Sequence, residues 1–384
     1  MRKLLPAILF IAYNVVVHAQ TVRIVVNDQS AGSATHKDLF IAGSFNGWNP
    51  GDGRFKFQPG DNGSYLLELS LATGSYEYKI TRGSWDKVEC KAGGAGIANR
   101  VLNVKSDTLV QLTVEEWADK VPPKPRVSTA GAHVQILDTA FYSPQLKRTR
   151  RVWIYLPPHY SRNKKYPVLY MHDGQNVFED TTAYSGEWGV DEYLDSAITR
   201  PCIVVAVDHG GAKRLNEYNP YNSERFGTGE GDAYVDFIVK TLKPFIDKKY
   251  KPARGRNHTF IAGSSMGGLI SMYAILKYPR VFGGAGVFSP AFWVAPGISQ
   301  AIKKRGKKFK GKLYLYAGMQ EGETMVPLLL KAFEELTAVS KAGIAVVIRN
   351  EGMHNETRWR QEFPLFYQWL TSPGTPSHFI TNTF

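Results

Sequence analysis

The first third of the chain is a series of short β-type segments separated by turn residues. Segments such as VRIVV, SYLLELSL and TLVQLTV are rich in apolar positions, and Gly, Asn and Asp lie between them. This pattern and spacing are typical of an all-β sandwich. Nothing in this part offers a nucleophile together with its base. We therefore predict a small immunoglobulin-like β-sandwich domain over residues 20–119.

After residue 133 the pattern changes to apolar strands that alternate with amphipathic helical stretches. The strand candidates are VWIYLP, YPVLYMHD, CIVVAVD, HTFIAGS, GGAGVFS, KLYLYAG and IAVVIRN, and the main helix candidates are 231–247, 265–278, 325–339 and 356–370. Strands of this kind indicate a mostly parallel sheet that helices cover on both faces. We predict an α/β domain over residues 133–372, followed by a flexible tail at 373–384.

The two predicted domains are joined by the stretch KVPPKPRVSTAGA, residues 120–132. It holds three prolines and then small residues. Such a composition stays extended and resists packing. We predict that it is an interdomain linker.

The N-terminus has the pattern of a secretory signal peptide over residues 1–19. Arg2 and Lys3 precede a mostly apolar stretch, and VHA ends before Gln20 with small residues at the positions that a signal peptidase requires. A membrane anchor is the weaker alternative, because a span needs about 20 apolar residues and this stretch is shorter. We expect a secreted or periplasmic protein without a membrane span.

Charge and cysteine content narrow the possible partners. The formal net charge is +13, but the basic groups, such as KRTRR and KKRGKKFKGK, are dispersed and lack interleaved aromatic residues or a nucleic-acid motif. We expect them to be solvated faces and expect no nucleic-acid partner. The two cysteines, Cys90 and Cys202, fall in different predicted domains, and Cys202 opens an apolar strand. It is predicted to be a buried free thiol, and a cysteine-ligated metal site is excluded.

The stretch IAGSSMGGLI contains two adjacent serines, of which Ser265 is the candidate nucleophile. Gly263 and Gly267 lie two positions before and after Ser265, whereas Ser264 has no glycine at either place. A nucleophile elbow favours glycine at both places, because side chains there would clash inside a sharp strand-to-helix turn. The pentapeptide alone is a weak signal, but here it follows a strand candidate and opens a helix candidate.

A serine hydroxyl needs a general base and an acid that orients the base. In the order serine, acid, histidine, two histidines follow Ser265: His354 in the loop after IAVVIRN, and His378 in the tail. We assign His354 as the base. The strand KLYLYAG leads into a loop with Glu321 and Glu323, and both could reach the histidine. Glu321 is preferred because it is closer to the end of the strand.

The oxyanion of an acyl-transfer intermediate needs two backbone N–H donors. Met266, the residue after the nucleophile, should supply one of them. The loop HDGQNVF after YPVLYMHD should supply the other, through Gln175, because Gly174 would let the chain turn sharply there. His172 and Asp173 precede the serine in the chain and are expected to brace this loop.

The loop at residues 209–222 should rim the pocket, because it follows the carboxyl end of a strand. It carries Arg214, Glu217 and Tyr218, and we predict Arg214 and Tyr218 as substrate-binding residues. Arg214 and Glu217 are three residues apart and could instead form an ion pair that shapes the loop, which we favour. Trp188 is predicted to bind substrate as a pocket wall, with a place in the core as the alternative.

Several motifs in the same order resemble the esterase D-like, feruloyl esterase-like branch of the α/β-hydrolase superfamily. They are HDGQNVFED, GEWGVDEYLD, IVVAVDHGGAKRLNEYNPY, GSSMGG and GMHNETRWRQEFPLFYQWL, and the resemblance covers about residues 133–370. It implies an α/β-hydrolase fold and serine ester hydrolysis. The acid of that family lies in a G-x-x-[D/E] pattern, which Gly318 to Glu321 match. A triad of this kind requires no metal or organic cofactor.

The first domain resembles the starch- and glycogen-binding β-sandwich modules through GSFNGWNP, YEYKITRGSW and the pair NR. The resemblance implies a sugar platform of Trp48, Lys79, Trp85 and Asn99, since aromatic faces stack on pyranose rings. Trp85 lies earlier than the second tryptophan of those modules. The alternative is a docking sandwich that binds no glycan and keeps Trp48 in its core.

The sequence therefore predicts an exported serine esterase acting on acyl or feruloyl esters of polysaccharides or oligosaccharides. An esterase for a catecholate, enterochelin-type siderophore is the first alternative, and a sugar-acyl transferase is the second. A non-catalytic glycan-binding protein is the alternative from another class, against which the complete triad argues. The oligomeric state is not indicated by the sequence.

Overall fold

A computed structural model of the chain consists of two compact units, residues 1–124 and 125–384. The residues described by it are 19–30, 38–121, 126–196 and 200–373, with the backbone of 379–383. The predicted signal peptide therefore lies outside the described residues, apart from its last position. No helix in this described part is both long and apolar enough to cross a membrane.

The described residues of the first unit form β-strands with short 3₁₀ turns between them. The strands are β1 (Gln20–Asp28), β2 (Phe40–Gly43), β3 (Gln58–Pro59), β4 (Tyr65–Leu71), β5 (Gly74–Thr81), β6 (Glu89–Cys90), β7 (Arg100–Val104), β8 (Thr108–Val114) and β9 (Glu116–Trp117). They form sheets in the orders β3-β4-β1-β8, β2-β5-β7 and β6-β9. Along β4 buried and exposed residues alternate, and its buried side chains share one apolar core with those of β1, β5 and β7.

The second unit is organised by one nine-stranded sheet. Its strands are β10 (Val134–Ser143), β11 (Arg148–Tyr155), β12 (Val168–His172), β13 (Ile203–Val207), β14 (Thr259–Ser264), β15 (Gly284–Phe288), β16 (Lys312–Gly318), β17 (Gly343–Arg349) and β18 (Phe379–Thr383). The order is β10-β11-β13-β12-β14-β15-β16-β17-β18. Strands β10 and β11 are antiparallel to their neighbours and the others are parallel.

Helices cover this sheet on both faces, as the apolar pattern predicted. They are α1 (Val190–Ser196), α2 (Arg214–Glu217), α3 (Gly231–Phe237), α4 (Lys243–Tyr250), α5 (Met266–Lys277), α6 (Gly297–Arg305), α7 (Met325–Thr337) and α8 (Glu356–Thr371). On β12, Val168 and Tyr170 pack with α3 to α7, while Leu169 and Met171 pack with α1 and α8. Because successive strand residues point to opposite faces, two apolar cores flank one sheet. The predicted α/β-hydrolase fold, with an all-β region before it, is confirmed.

Two segments that were predicted to be extended and unattached have partners in the second unit. The predicted linker at 120–132 is bound from Arg126 onwards: Arg126 donates hydrogen bonds to the carbonyl oxygens of Asp180 (2.7 Å) and Ala183 (2.6 Å). The predicted flexible tail contributes β18, which pairs in parallel with β17. The tail prediction was wrong because the edge of β17 offers backbone groups that composition does not reveal.

Both cysteines are buried and free. The prediction of a free thiol at Cys202 is therefore confirmed. This side chain lies under the parallel sheet, with Sγ 3.4 Å from the carbonyl oxygen of Pro167. Burial raises the pKa of the Cys202 thiol to about 12, so the thiol stays protonated and unreactive in the folded protein.

Candidate active site

Ser265 lies in a strained turn between β14 and α5. Its backbone has φ 57° and ψ −119°, a conformation that an L-residue adopts at a cost of about 1–3 kcal/mol. Two hydrogen bonds hold it there: its N–H donates to the carbonyl oxygen of Phe288 (2.9 Å), and its carbonyl accepts from the N–H of Ala291 (3.0 Å). This is the geometry of a nucleophile elbow, at the carboxyl edge of the sheet.

The glycines of the motif are needed because the chain on both sides of Ser265 is crowded. A Cβ at Gly263 would lie 3.0 Å from the carbonyl carbon of Gly267 and from the ring of His172. A Cβ at Gly267 would lie 3.3 Å from Asp173 and His172. Ser264 is buried, whereas Ser265 is partly exposed. The sterics that distinguish the two serines in sequence therefore operate in the fold.

His354 and Glu321 are joined by a hydrogen bond of 2.9 Å between Nδ1 and Oε2. The side chain of Glu321 is fully buried, and its Oε1 accepts from the Ser289 hydroxyl (2.8 Å) and the Gly318 N–H (2.7 Å). Glu323, the rival acid, is exposed. Because an ionised carboxylate only accepts hydrogen bonds, this contact assigns the proton of a neutral imidazole to Nδ1 and leaves Nε2 free as a base.

The structure joins Ser265 to this pair through the backbone and not by a direct side-chain contact. Phe288, whose carbonyl accepts the N–H of Ser265, is followed in the chain by Ser289, whose hydroxyl binds Glu321. Within the described residues, no hydrogen bond connects the hydroxyl of Ser265 to His354. In ligand-free enzymes such bonds are often long and tighten only when substrate is bound.

The two predicted oxyanion donors have free N–H groups in the described part of the chain. Met266 is the first residue of α5, so its N–H has no acceptor inside the helix and lies at the positive end of the helix dipole. Gln175 lies in the buried 3₁₀ turn at residues 174–176, and its N–H also has no acceptor. A residue with positive φ lies just before each donor: Ser265 directly precedes Met266, and Asp173 lies two positions before Gln175.

The role expected for Gly174 needs correction. The sharp turn before Gln175 is made by Asp173, with φ 53° and ψ 51°, and not by Gly174. Glycine is required at 174 for another reason: a Cβ there would lie 2.8 Å from the backbone of Val207 at the end of β13. The turn can therefore press against the sheet only without a side chain at this position.

Arg214 does not pair with Glu217, the partner that the sequence analysis favoured. Its guanidinium donates to both carboxylate oxygens of Asp173 (2.7 and 2.8 Å). Glu217 instead accepts from Arg148 and Arg150. The predicted ion pair between Arg214 and Glu217 is therefore wrong. Burial alone would raise the pKa of Asp173, but the Arg214 guanidinium outweighs it and keeps that pKa below its usual value. Arg214 thus clamps the turn that presents Gln175.

Below this turn lies a buried polar cluster of His172, Tyr218 and Tyr234. Tyr218 is fully buried, and its hydroxyl accepts the N–H of Asp173 (3.2 Å). His172 Nδ1 is 2.8 Å from the hydroxyl of Tyr234, and its Nε2 has no partner among the described side chains. Burial lowers the pKa of His172 to about 4. A neutral, buried imidazole braces the turn, as expected, and is not placed to act as a base.

Trp188 is a core residue by its position. It is 4% exposed and its ring packs on Phe288 (4.9 Å between centroids) and Trp359 (5.9 Å). The backbone N–H of Trp188 donates to the carbonyl of Asn176, the residue after Gln175 (2.8 Å). Direct contact of Trp188 or Tyr218 with substrate remains a prediction, and the contacts described here hold the turn at residues 173–176.

Trp293, in the loop after β15, forms an aromatic pair with Phe226 that the sequence analysis did not single out. Trp293 is 38% exposed and lies against Phe226, with the ring centroids 5.7 Å apart. The Arg225 guanidinium lies 5.2 Å from the centroid of Phe226 and 6.0 Å from that of Trp293. Trp293 is two residues after Ala291, which binds the carbonyl of Ser265. The sequence did contain a signal for this residue: the stretch FSPAFW lies at the carboxyl end of β15, next to β14, where loops border the site in an α/β sheet.

In the first unit, the structure brings together the two tryptophans of the predicted sugar platform. The ring centroids of Trp48 and Trp85 are 6.2 Å apart, both residues are partly exposed, and neither belongs to the apolar core. Lys79 donates to the carbonyl of Ile97, and burial lowers the pKa of its ammonium. Exposed Asn99 donates to Glu77 (3.0 Å). Binding of sugar by these residues remains a prediction.

Comparison with known proteins places the second unit in a family. The family model described as Putative esterase matches residues 143–369. The uncharacterized protein YbbA of Bacillus subtilis (strain 168) is 31% identical over 182 residues, which are 45% of this chain and 69% of that protein. The endo-1,4-beta-xylanase/feruloyl esterase of Xylanibacter ruminicola is 25% identical over 240 residues, which are 60% of this chain and only 30% of that protein.

A solved structure with the same fold is that of the BES protein from Bacillus cereus. The similarity has a TM-score of 0.53 at 19% identity and covers 66% of this chain and 99% of that one. At this identity the likeness concerns the fold alone. Because the family model spans more than half of the residues, the chain belongs to the Putative esterase family of α/β-hydrolases and is a carboxylic ester hydrolase.

Proposed function

We propose that the protein is an exported serine esterase whose triad is Ser265, His354 and Glu321. The observation that carries the proposal is the hydrogen bond of 2.9 Å between His354 and a fully buried Glu321, at the same sheet edge as the strained elbow of Ser265. A buried carboxylate partner holds the histidine in one tautomer and orientation, as the base of a triad requires. Export is supported by the basic and apolar pattern of residues 1–19.

In this mechanism the Ser265 hydroxyl attacks the ester carbonyl while His354 Nε2 takes its proton. Glu321 stabilises the imidazolium that forms, and the N–H groups of Gln175 and Met266 bind the oxyanion. The imidazolium then protonates the leaving alcohol, and an acyl-enzyme remains. Water, activated by His354, attacks the acyl-enzyme and releases the acid and the free serine.

For the substrate we propose acyl or feruloyl esters of polysaccharides or oligosaccharides. The relative from Xylanibacter ruminicola, named as a feruloyl esterase, supports this substrate class. The exposed ring of Trp293 in the loop next to the elbow offers a face on which an aromatic acyl group can stack. In the first unit, the paired rings of Trp48 and Trp85 offer a surface for sugar.

A catecholate siderophore ester is the second candidate, and one observation favours it. The guanidinium of Arg225 lies beside the aromatic pair of Phe226 and Trp293. A cation next to aromatic rings suits a ligand that is both aromatic and anionic. The two candidates are separated by comparing turnover of methyl ferulate with turnover of a catecholate trilactone by the same preparation.

The proposal is tested with protein that begins at Gln20, using p-nitrophenyl acetate and methyl ferulate. Ser265→Ala should lower kcat by roughly 10³-fold or more, the loss expected for a triad nucleophile. Ser264→Ala is the matched control, because the adjacent hydroxyl is buried, and it should retain turnover. An active Ser265→Ala variant would overturn the assignment. So would a wild type that hydrolyses neither ester and takes up no fluorophosphonate.

The sugar platform needs a separate measurement. Trp48→Ala and Trp85→Ala should each weaken retention of the protein on insoluble starch or arabinoxylan, because each removes one of the paired rings. Leu109→Ala, at an exposed apolar residue of the same unit, is the control. If the tryptophan variants lose retention, and if no protein hydrolyses the esters, the wild type included, the non-catalytic glycan-binding protein would be favoured.

A further inference from the structure

Ser289 is a buried residue in a backbone conformation that favours glycine. It follows β15, is fully buried, and has φ 44°. Serine is not among the residues that commonly adopt positive φ, for which Gly, Asn and Asp are preferred. A serine is therefore strained at this position, where glycine would not be, and the hydroxyl is the polar group that its side chain adds.

The hydroxyl of Ser289 makes two directed hydrogen bonds. It donates to Glu321 Oε1 (2.8 Å) and accepts from the indole N–H of Trp359 on α8 (2.9 Å). An indole nitrogen can only donate and an ionised carboxylate can only accept, so the direction of the hydroxyl proton is fixed by its two partners. The backbone N–H of Ser289 is bound as well, to the carbonyl of Tyr316 (2.7 Å).

These bonds act on both groups that contact His354. Glu321 Oε1 is occupied by Ser289 and Gly318, which leaves Oε2 facing His354 Nδ1. Trp359, the other partner of Ser289, meets the imidazole edge to face, with the ring centroids 5.1 Å apart and the planes at 83°. Ser289 thus bonds both to the carboxylate that accepts from His354 and to the indole that packs against its ring.

We propose that Ser289 is a positioning residue of the esterase, which aligns Glu321 and Trp359 so that His354 Nε2 is presented to Ser265. The inference rests on the proposed triad. Ser289 does not contact the reacting atoms; it acts through Glu321 and Trp359. Its place after Phe288, the acceptor for the Ser265 N–H, ties the nucleophile and the acid to one end of β15.

The test uses Ser289→Gly, which removes the hydroxyl and also relieves the strained backbone. A purely structural serine would therefore be replaced without loss of rate. A positioning serine should lose roughly 10- to 100-fold in kcat, as misplaced catalytic groups do, with KM for p-nitrophenyl acetate unchanged. The acid limb of the kcat/KM profile should also move to lower pH, because a misaligned carboxylate stabilises the imidazolium less.

Two further variants make the test specific. Ser271→Ala removes another fully buried hydroxyl, one without a hydrogen-bond partner in the described part of the chain, and should leave kcat and the pH profile unchanged. Trp359→Phe keeps Ser289 and the aromatic ring but removes the indole N–H. It should lower kcat by a smaller factor than Ser289→Gly and move the acid limb in the same direction.

The outcomes separate this inference from the proposed function. If Ser265→Ala is inactive while Ser289→Gly keeps the wild-type kcat and pH profile, the role of Ser289 is refuted and the triad stands. If Ser265→Ala is active, the triad itself fails. If Ser289→Gly does not fold by circular dichroism, Trp359→Phe decides: an unchanged kcat and acid limb would overturn the inference, and a reduced kcat with a moved limb would support it.

Discussion

Burial of the His172 imidazole should remove part of the stability of the second unit as the pH falls into mild acid. His172 is 3% exposed, and burial lowers its pKa from 6.5 to about 4, with the neighbouring Arg214 acting in the same direction and Asp173 against it. The uncharged ring fits between Tyr234 and the glycines of the elbow. Protonating it would place a second cation beside Arg214 with no acceptor for its Nε2 among the described residues.

The magnitude follows from the two pKa values of His172. In the unfolded chain the imidazole titrates near 6.5, and in the folded protein near 4. Between these values the unfolded state binds more protons, so the free energy of unfolding falls as the pH falls. Each pH unit of that window is worth about 1.4 kcal/mol. The loss between pH 6.5 and pH 4 is therefore about 3 kcal/mol, a large part of the stability of a typical domain.

Other groups act in the opposite direction and must be separated from His172. Burial raises the pKa values of Glu187 and Asp191 to about 7 each. Since a carboxyl with a raised pKa stabilises the folded state at low pH, these two groups add stability over the window in which His172 removes it. The wild-type curve alone is therefore not diagnostic. The comparison needs a variant that does not titrate at position 172.

The assay is urea unfolding of the wild type and of His172→Gln at a series of pH values from about 7.5 to about 4.5. Glutamine is polar and uncharged throughout, so the substitution carries a cost that does not depend on pH. The difference in unfolding free energy between the two proteins should shrink by about 2–3 kcal/mol as the pH falls. Contributions of the first unit and of the two carboxyls cancel in this difference. A difference that stays constant would refute the burial argument.

Three further predictions follow from buried charges and thiols. Arg214→Gln should lower the free energy of unfolding in urea by roughly 3 kcal/mol, because it leaves the buried Asp173 carboxylate without its cation. It should also lower kcat, because Asp173 lies in the turn that presents Gln175. Unchanged stability and unchanged kcat would contradict this prediction. Glu187→Gln should remove the loss of stability that ionisation of this buried carboxyl causes as the pH rises through about 7, so the variant should gain stability relative to the wild type over that range. A difference in unfolding free energy that does not change with pH would mean that Glu187 does not titrate there. Cys202, with its thiol pKa raised to about 12, should react with Ellman's reagent only when urea unfolds the protein. The Cys90→Ser variant isolates this thiol, because the chain has two cysteines. Rapid labelling of the folded variant would contradict the burial of Cys202.

The candidate nucleophile could be chosen from sequence because part of the crowding is local. A Cβ at Gly263 would lie 3.0 Å from the backbone of Gly267, which a five-residue window contains. The crowding at Gly267 comes from His172 and Asp173, which only the fold brings to this turn. The fold class was also predictable from local patterns. Apolar strands alternating with amphipathic helices leave few arrangements other than a parallel sheet covered on both faces.

The partners of charged side chains were less predictable. Arg214 and Glu217 are three residues apart, which suggested an ion pair, but Asp173 lies 41 residues before Arg214 and takes its guanidinium with both oxygens. Glu217 is drawn instead to Arg148 and Arg150 on β11. Burial decides this, because a carboxylate inside the core must be paired with whichever cation the packing brings to it.

What the sequence determined by itself is the plan of this protein: a β-sandwich unit before an α/β-hydrolase unit, and a serine elbow followed by a candidate acid and a histidine in order. Only the tertiary structure decided that Glu321 rather than Glu323 meets His354, and that Ser289 from β15 and Trp359 from α8 hold that pair. The reason is physical. Backbone conformation and apolar period are properties of short segments, whereas hydrogen bonds between side chains on different strands and helices exist only once the sheet has brought them together.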